Sequence, residues 1–179
     1  EKPFAFIPGC EVSGIVEQRG VGFAGLAVGD KVYGMLGLSG GGYAEYVIAA
    51  ADNLGRKPAS LDHVHAAALP VAAQTAWDAL FEVGGLIAGQ KVLIHAAAGG
   101  VGHIAVQLAK WRGAQVIGTA SAGNEAFLRE LGIDHFVNYR TTAFESVVRD
   151  VDMVLDLIPR EADDAGHGEL AVVARRRLP

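Results

Sequence analysis

The chain has 179 residues and a formal charge of −5, from 15 Lys+Arg against 20 Asp+Glu, a length that suits one domain or a domain and a half. A hydrophobic fraction of 51% with 20% charged residues excludes global disorder, and the mild acidity argues against a nucleic-acid or anionic-membrane surface. One cysteine, Cys10, cannot close an intrachain disulfide, so a secreted disulfide scaffold is excluded and a reducing cytoplasm is the default compartment.

Residues 1–58 are rich in glycine and in short β-type runs: EVSGIVEQ (11–18), DKVYGML (30–36) and GYAEYVIA (42–49). Glycine turns separate them, which predicts a small antiparallel sheet or partial barrel. The chain changes character near residue 58. Residues 61–83 read as helix, interrupted or kinked near Pro70. The longest apolar run, 66–73, contains that proline and is far shorter than the roughly 20 residues of a membrane span. The first residue is not Met and no basic-then-apolar leader follows it, so the numbering is expected to start inside a longer protein.

A regular alternation begins after Gly84 and Gly85. KVLIHA (91–96) is an apolar strand, and VGHIAVQLAKW (101–111) carries apolar residues at helical spacing. QVIGTA (115–120) is a second buried strand, NEAFLREL (124–131) a helix and HFVNY (135–139) a third strand. Thr142 followed three residues later by Glu145 has the form of a capping box for a short helix. DMVLDLI (152–158) is the fourth strand. Uninterrupted apolar strands alternating with helices predict an α/β fold, a doubly wound parallel sheet covered on both faces. With four strands of six, the sheet is incomplete, and the fourth strand is expected to expose an unpaired edge. Residues 159–179 fit this rhythm poorly, and ELAVVARRR (169–177) reads as a short helix or a frayed tail.

The segment with the strongest chemical content is KVLIHAAAGGVGHIAVQLAK, residues 91–110. It runs strand, glycine turn, amphipathic helix. The turn comprises Ala97, Ala98, Gly99, Gly100, Val101 and Gly102, and matches the dinucleotide pattern G-x-G-x-x-G with Ala97 in first place. Without a Cβ, Gly99 allows a pyrophosphate to approach the backbone, and Gly102 lets the helix press on the strand. The free amides at the helix start, with the helix dipole, suit phosphates. The end of the second strand, where NAD-binding chains place Asp or Glu, is Ala120-Ser121 here. Ser121 can donate to a 2′-phosphate, and Tyr139 with Arg140 can close over the adenine ribose, so NADP(H) is expected over NAD(H).

These residues resemble the zinc-independent quinone oxidoreductases of the medium-chain dehydrogenase/reductase superfamily, relatives of zeta-crystallin and of polyketide enoyl reductases. The matching stretches include PGCEVSGIVEQRG (8–20), GGYAEYV (41–47), AAALPVAAQTAWDAL (66–80) and LRELGIDHFVNYR (128–140). The resemblance implies part of a GroES-like substrate domain over 1–58, and a C-terminally incomplete Rossmann domain over 59–179. It implies hydride transfer from NADPH to a quinone or an α,β-unsaturated carbonyl. It places Thr75 beside the nicotinamide or its ribose, and Ser121 and Tyr139 at the adenosine phosphate, with Asn124 where many relatives carry lysine.

The zinc-dependent branch has His where Cys10 stands and Cys where Val71 stands, and adds a four-cysteine lobe that a chain with one cysteine cannot form. Cys10 and Glu11 supply too few ligands for zinc, so no metal is expected and Cys10 is read as a small buried hydrophobe. His63 and His65 point to nearly opposite faces of one helix and cannot chelate together. His95 is expected to bond the loop backbone, a phosphate or its structural surroundings, and His103 to orient or pack. Trp77, Phe81 and Trp111 read as core or domain-interface residues. No catalytic residue is assigned. Two other readings stay open: a non-catalytic fragment that binds nucleotide or pairs as a homodimer through its open sheet edge, and a zinc alcohol dehydrogenase.

Overall fold

The computed structural model describes residues 7–21, 25–37, 40–158 and 172–174. Its contacts divide the chain into two units, Glu1–Val71 and Ala72–Pro179; the composition shift in the sequence lies near residue 58.

In the first unit, β1 (Glu11–Ile15), β2 (Lys31–Met35) and β3 (Leu54–Arg56) form an antiparallel sheet in that order. Gly34 of β2 faces the backbone of Asn53, with Leu54 Cδ2 3.0 Å from where a Cβ would stand; a side chain there would prise β2 from β3. Alternation puts Val32 and Gly34 inside, and Leu36 continues that face. Helix α1 (His63–Ala67) starts at Asp62, whose carboxylate accepts from the His65 amide at 2.8 Å, the expected role of an aspartate at a helix start.

GYAEYVIA (42–49), expected as a strand, is loop. The amides of Gly41, Gly42 and Tyr43 donate to the carbonyls of Ile7, Gly9 and Pro8 at 2.8, 2.8 and 3.0 Å, and Gly41 has φ +106°. Tyr43, Tyr46 and Ile48 stand exposed. The third strand is instead Leu54-Gly55-Arg56, too short to show alternation.

Pro70 is the first residue of α2 (Pro70–Trp77). A proline is favoured there, where its missing N–H would have no helical partner; it therefore separates α1 from α2. The helix continues as a π-helical turn over Asp78–Val83, in which the Gly84 amide reaches Ala79 O at 3.1 Å.

The second unit is built on β4 (Lys91–Ile94), β5 (Gln115–Ala120), β6 (His135–Asn138) and β7 (Met153–Leu155), with helices α3 (Gly102–Trp111), α4 (Glu125–Glu130) and α5 (Phe144–Val147) between them. The strand order is β6-β5-β4-β7, all parallel, the first four positions of a doubly wound sheet. Val92, Leu93, Ile94, Val116 and Leu155 are fully buried, as strands covered on both faces must be. One face carries Leu93, Ile117 and Val137, packed with Val148, Val151 and Phe144. This is the expected class: a Rossmann-type sheet preceded by part of a GroES-like β domain.

Four expectations need correction. A fifth strand, β8 (Val172–Ala174), pairs antiparallel with β7, so the β7 edge is covered and 172–174 is neither helix nor frayed tail. The Thr142–Glu145 capping box does not form: the capping position before α5 is Ala143, which makes no side-chain cap bond, and Ser146 Oγ donates back to Ala143 O at 2.6 Å. Cys10 is exposed rather than buried. Trp77, Phe81 and Trp111 pack on one another, with ring centroids 4.8 to 6.4 Å apart; of the two expected places, core or domain interface, the core is excluded for the tryptophans, Trp77 being 39% and Trp111 67% exposed.

Candidate functional site

In a doubly wound sheet, ligands bind outside the carboxyl ends of the strands where the order reverses. Here that point lies between β4 and β7, because the chain runs from β4 to β5 and β6 on one side and then returns to β7 on the other. The β4–α3 turn emerges there.

Ala96 enters the turn with φ +48°, a left-handed conformation uncommon outside glycine. Its carbonyl accepts from the Gly99 amide at 2.8 Å, and the Ala97 amide donates to Thr119 O at 3.0 Å. Ala97 is thereby buried against β5, where Gly118 makes room: a Cβ on Gly118 would lie 2.8 Å from Ala97 Cβ. At Gly102 a Cβ would press on the Ala96 carbonyl oxygen and stand 2.8 Å from Ala97 Cα. Only glycine lets α3 start this close to the strand end.

The next bonds are spent inside the turn. The His103 amide and Nδ1 both point to Gly99 O, at 3.0 and 2.8 Å. Among the described residues, the amides of Gly100, Val101 and Gly102 donate to no protein group. Gly99 and Gly100 are exposed, and no atom lies within 4 Å of a Cβ on Gly100. The result is three unfilled donors at the positive end of a ten-residue helix, the arrangement that suits an anion.

Ser121 follows β5 and opens a short 3-10 turn. Its Oγ accepts from Asn124 Nδ2 at 3.1 Å, and its carbonyl from the Asn124 amide at 3.0 Å. Tyr139, after β6, is tied to this strand end by its amide, 3.4 Å from Ala120 O. The Arg140 guanidinium lies 6.0 Å from the Tyr139 ring centroid. Ser121, Asn124, Tyr139 and Arg140 thus gather at the ends of β5 and β6. Thr75 is half-buried on α2 and makes no hydrogen bond to the turn.

His95 bonds neither the loop backbone nor an open site. It is 8% exposed, with Nδ1 3.1 Å from Thr119 Oγ1 and its ring edge-on to Phe144 at 4.7 Å. Burial pushes its pKa down, opposed by the charges of Asp156 and Glu145. It acts as a strut between β4, β5 and α5. Thr119 and Phe144, its partners, lie 24 and 49 residues further on, so no local pattern marks them.

No group of three or more His, Cys, Asp or Glu among the described residues could hold a metal ion. Val71 offers only its amide, which donates to Glu11 Oε1 at 2.7 Å, so Glu11 is engaged by backbone. His63 Nδ1 is 2.8 Å from Ser13 Oγ and His65 Nδ1 2.8 Å from Asp62; the two imidazoles have separate partners. This residue set does not fit catalytic zinc.

Residues 1–59 match the alcohol dehydrogenase GroES-like domain family, and residues 100–163 the zinc-binding dehydrogenase family. The chain is 42% identical over 146 residues to a chloroplast envelope quinone oxidoreductase homolog of Arabidopsis thaliana, covering 78% of this chain and 44% of that protein. The structure of the quinone oxidoreductase from Coxiella burnetii superimposes with a TM-score of 0.80 at 42% identity, over 86% of this chain and 49% of that one. The CurK enoyl reductase does so with a TM-score of 0.80 at 35% identity, over 86% and 48%. The chain belongs to the medium-chain dehydrogenase/reductase superfamily. Within it, the similarity is to quinone oxidoreductases and enoyl reductases, and the chain spans less than half the length of each of these three proteins.

Proposed function

We propose that this chain serves an NADPH-dependent, zinc-independent oxidoreductase that passes a hydride to a quinone or an α,β-unsaturated carbonyl. The observation that carries this reading is the set of unfilled amides at Gly100, Val101 and Gly102, above a turn that a Cβ at residue 102 would fill. Those amides would take the pyrophosphate, with Ala97, Ala98 and Gly99 shaping the floor beneath it. Ser121, Asn124, Tyr139 and Arg140 would hold the adenosine end. No carboxylate stands at the end of β5 to repel a 2′-phosphate, and Arg140 adds a positive charge. Thr75 would lie by the nicotinamide. The nicotinamide supplies the hydride; the chain's own part is to bind and orient the cofactor. The names of the Arabidopsis and Coxiella proteins favour a quinone acceptor, and that of CurK an enoyl one.

Calorimetry tests the binding step. The reading expects one NADPH per chain, with NADH weaker. Absence of binding by either at about millimolar concentration, a standard free energy of only about −4 kcal/mol, sinks it. NADPH oxidation with a simple quinone then separates a working enzyme from a nucleotide-binding fragment. Elemental analysis showing about one zinc per chain would revive the alcohol dehydrogenase alternative.

A further inference from the structure

The second unit has a cavity on the sheet face that carries Ile117 and Val137, away from the β4–α3 turn. It has a volume of about 500 Å³ and runs from Lys91, Gln115 and His135 at the amino ends of β4, β5 and β6 to Asn138 and Thr142 at and beyond the carboxyl end of β6. Pockets for small molecules are typically about 300–1,000 Å³.

The lining is of two kinds. Phe136 and Val147 offer apolar surface in front of the buried Ile117 and Val148, and Lys91, His135 and Arg149 stand around it. The cations are held by neutral groups. Lys91 Nζ donates to Arg149 O at 3.2 Å, and the Arg149 guanidinium donates to the carbonyls of Glu145 and Val148. Neither forms an ion pair among the described residues. The neighbouring carboxylates are otherwise engaged. Asp152 accepts from the Lys91 amide at 2.9 Å, and Asp134 binds Lys110 and the Val116 amide at 2.6 to 2.9 Å. Among the described residues, no carboxylate lines the cavity.

We propose that this cavity is a second ligand site, for a small organic anion: a carboxylate with an aromatic or branched aliphatic body. The body lies on Phe136 and Val147, and the carboxylate meets Lys91 and Arg149. The site is separate from the β4–α3 turn and does not depend on the nucleotide reading.

The test uses the whole chain and 2-naphthoate as probe, by calorimetry. Saturable binding of one 2-naphthoate per chain is expected, with the uncharged 2-naphthamide about tenfold weaker or more, since a hydrogen bond to a charged group is worth a factor of this order. The double variant Lys91→Gln, Arg149→Gln should lose a similar factor, and saturating NADPH should leave 2-naphthoate affinity unchanged. No binding, equal affinity for the amide, an unaffected double variant, or displacement by NADPH each overturns the proposal. The amide comparison uses the unmodified chain, so it stands even if the variant fails to fold.

Discussion

Replacing Gly102 with Ala tests the geometry on which the β4–α3 turn is built. The added methyl would press on the Ala96 carbonyl oxygen and stand 2.8 Å from Ala97 Cα and 2.9 Å from Ala97 C. All three contacts are backbone, so no rotamer change relieves them. Overpacking of this kind costs about 1–3 kcal/mol. The gain from replacing a helical glycine with alanine is at most about 1 kcal/mol, and smaller at a first helical position. The net expectation is a loss of about 2 kcal/mol, or roughly 4–8 °C in Tm at about 2–4 °C per kcal/mol for a chain of this size. Thermal unfolding followed by circular dichroism reads it. Gly100→Ala is the control: its methyl meets nothing within 4 Å, and the shift should stay within about 0.5 kcal/mol. A Gly102→Ala chain as stable as the unmodified one would refute the reasoning, because α3 could then withdraw from the strand without cost.

Ser121→Asp places a carboxylate at the end of β5; NADPH affinity should fall about tenfold or more relative to NADH, and an unchanged ratio of the two dissociation constants would remove Ser121 from the 2′-phosphate site. Burial lowers the pKa of His95, so the folded chain binds its proton less tightly than the unfolded one. That contribution is complete above the unfolded pKa of about 6.5 and falls away as pH drops below it towards the lower folded value. The urea midpoint should therefore decline on acidification in that window, and His95→Asn should flatten the decline; an identical slope in both proteins contradicts the assignment. For Asp134, burial raises the pKa, but the Lys110 hydrogen bonds, the Val116 amide and nearby positive charges outweigh it and the net shift is down. Its stabilisation is present above the unfolded pKa and is lost as pH falls through the folded one. Asp134→Asn should lower stability at neutral pH by about 1 kcal/mol, allowing for a side chain 35% exposed. An unshifted urea midpoint would show that the pairing contributes nothing.

The Rossmann-type part was legible because each strand is a buried apolar run bounded by glycine or a polar turn. QVIGTA (115–120) coincides with β5, and the helical period of 101–111 marks α3 to within one residue. Pro70 marked the helix break for a local reason, its missing donor. The failures were non-local. GYAEYVIA (42–49) alternates like a strand, but the amides of Gly42 and Tyr43 at its start are taken by the carbonyls of Gly9 and Pro8, a pairing no local pattern reveals. The pairing of β8 with β7 joins residues some 20 apart across a polar stretch. In the candidate site the glycines were readable, since the steric demand on Gly102 is local. The partners of His95 were not, because the sheet order brings them together.

The most direct test of the central claim is a ¹H–¹⁵N correlation spectrum recorded during NADPH titration. The account predicts that the Gly100, Val101 and Gly102 amides shift furthest and saturate together at one NADPH per chain, as donors that gain a phosphate do. Saturable binding that leaves those three resonances in place would contradict it.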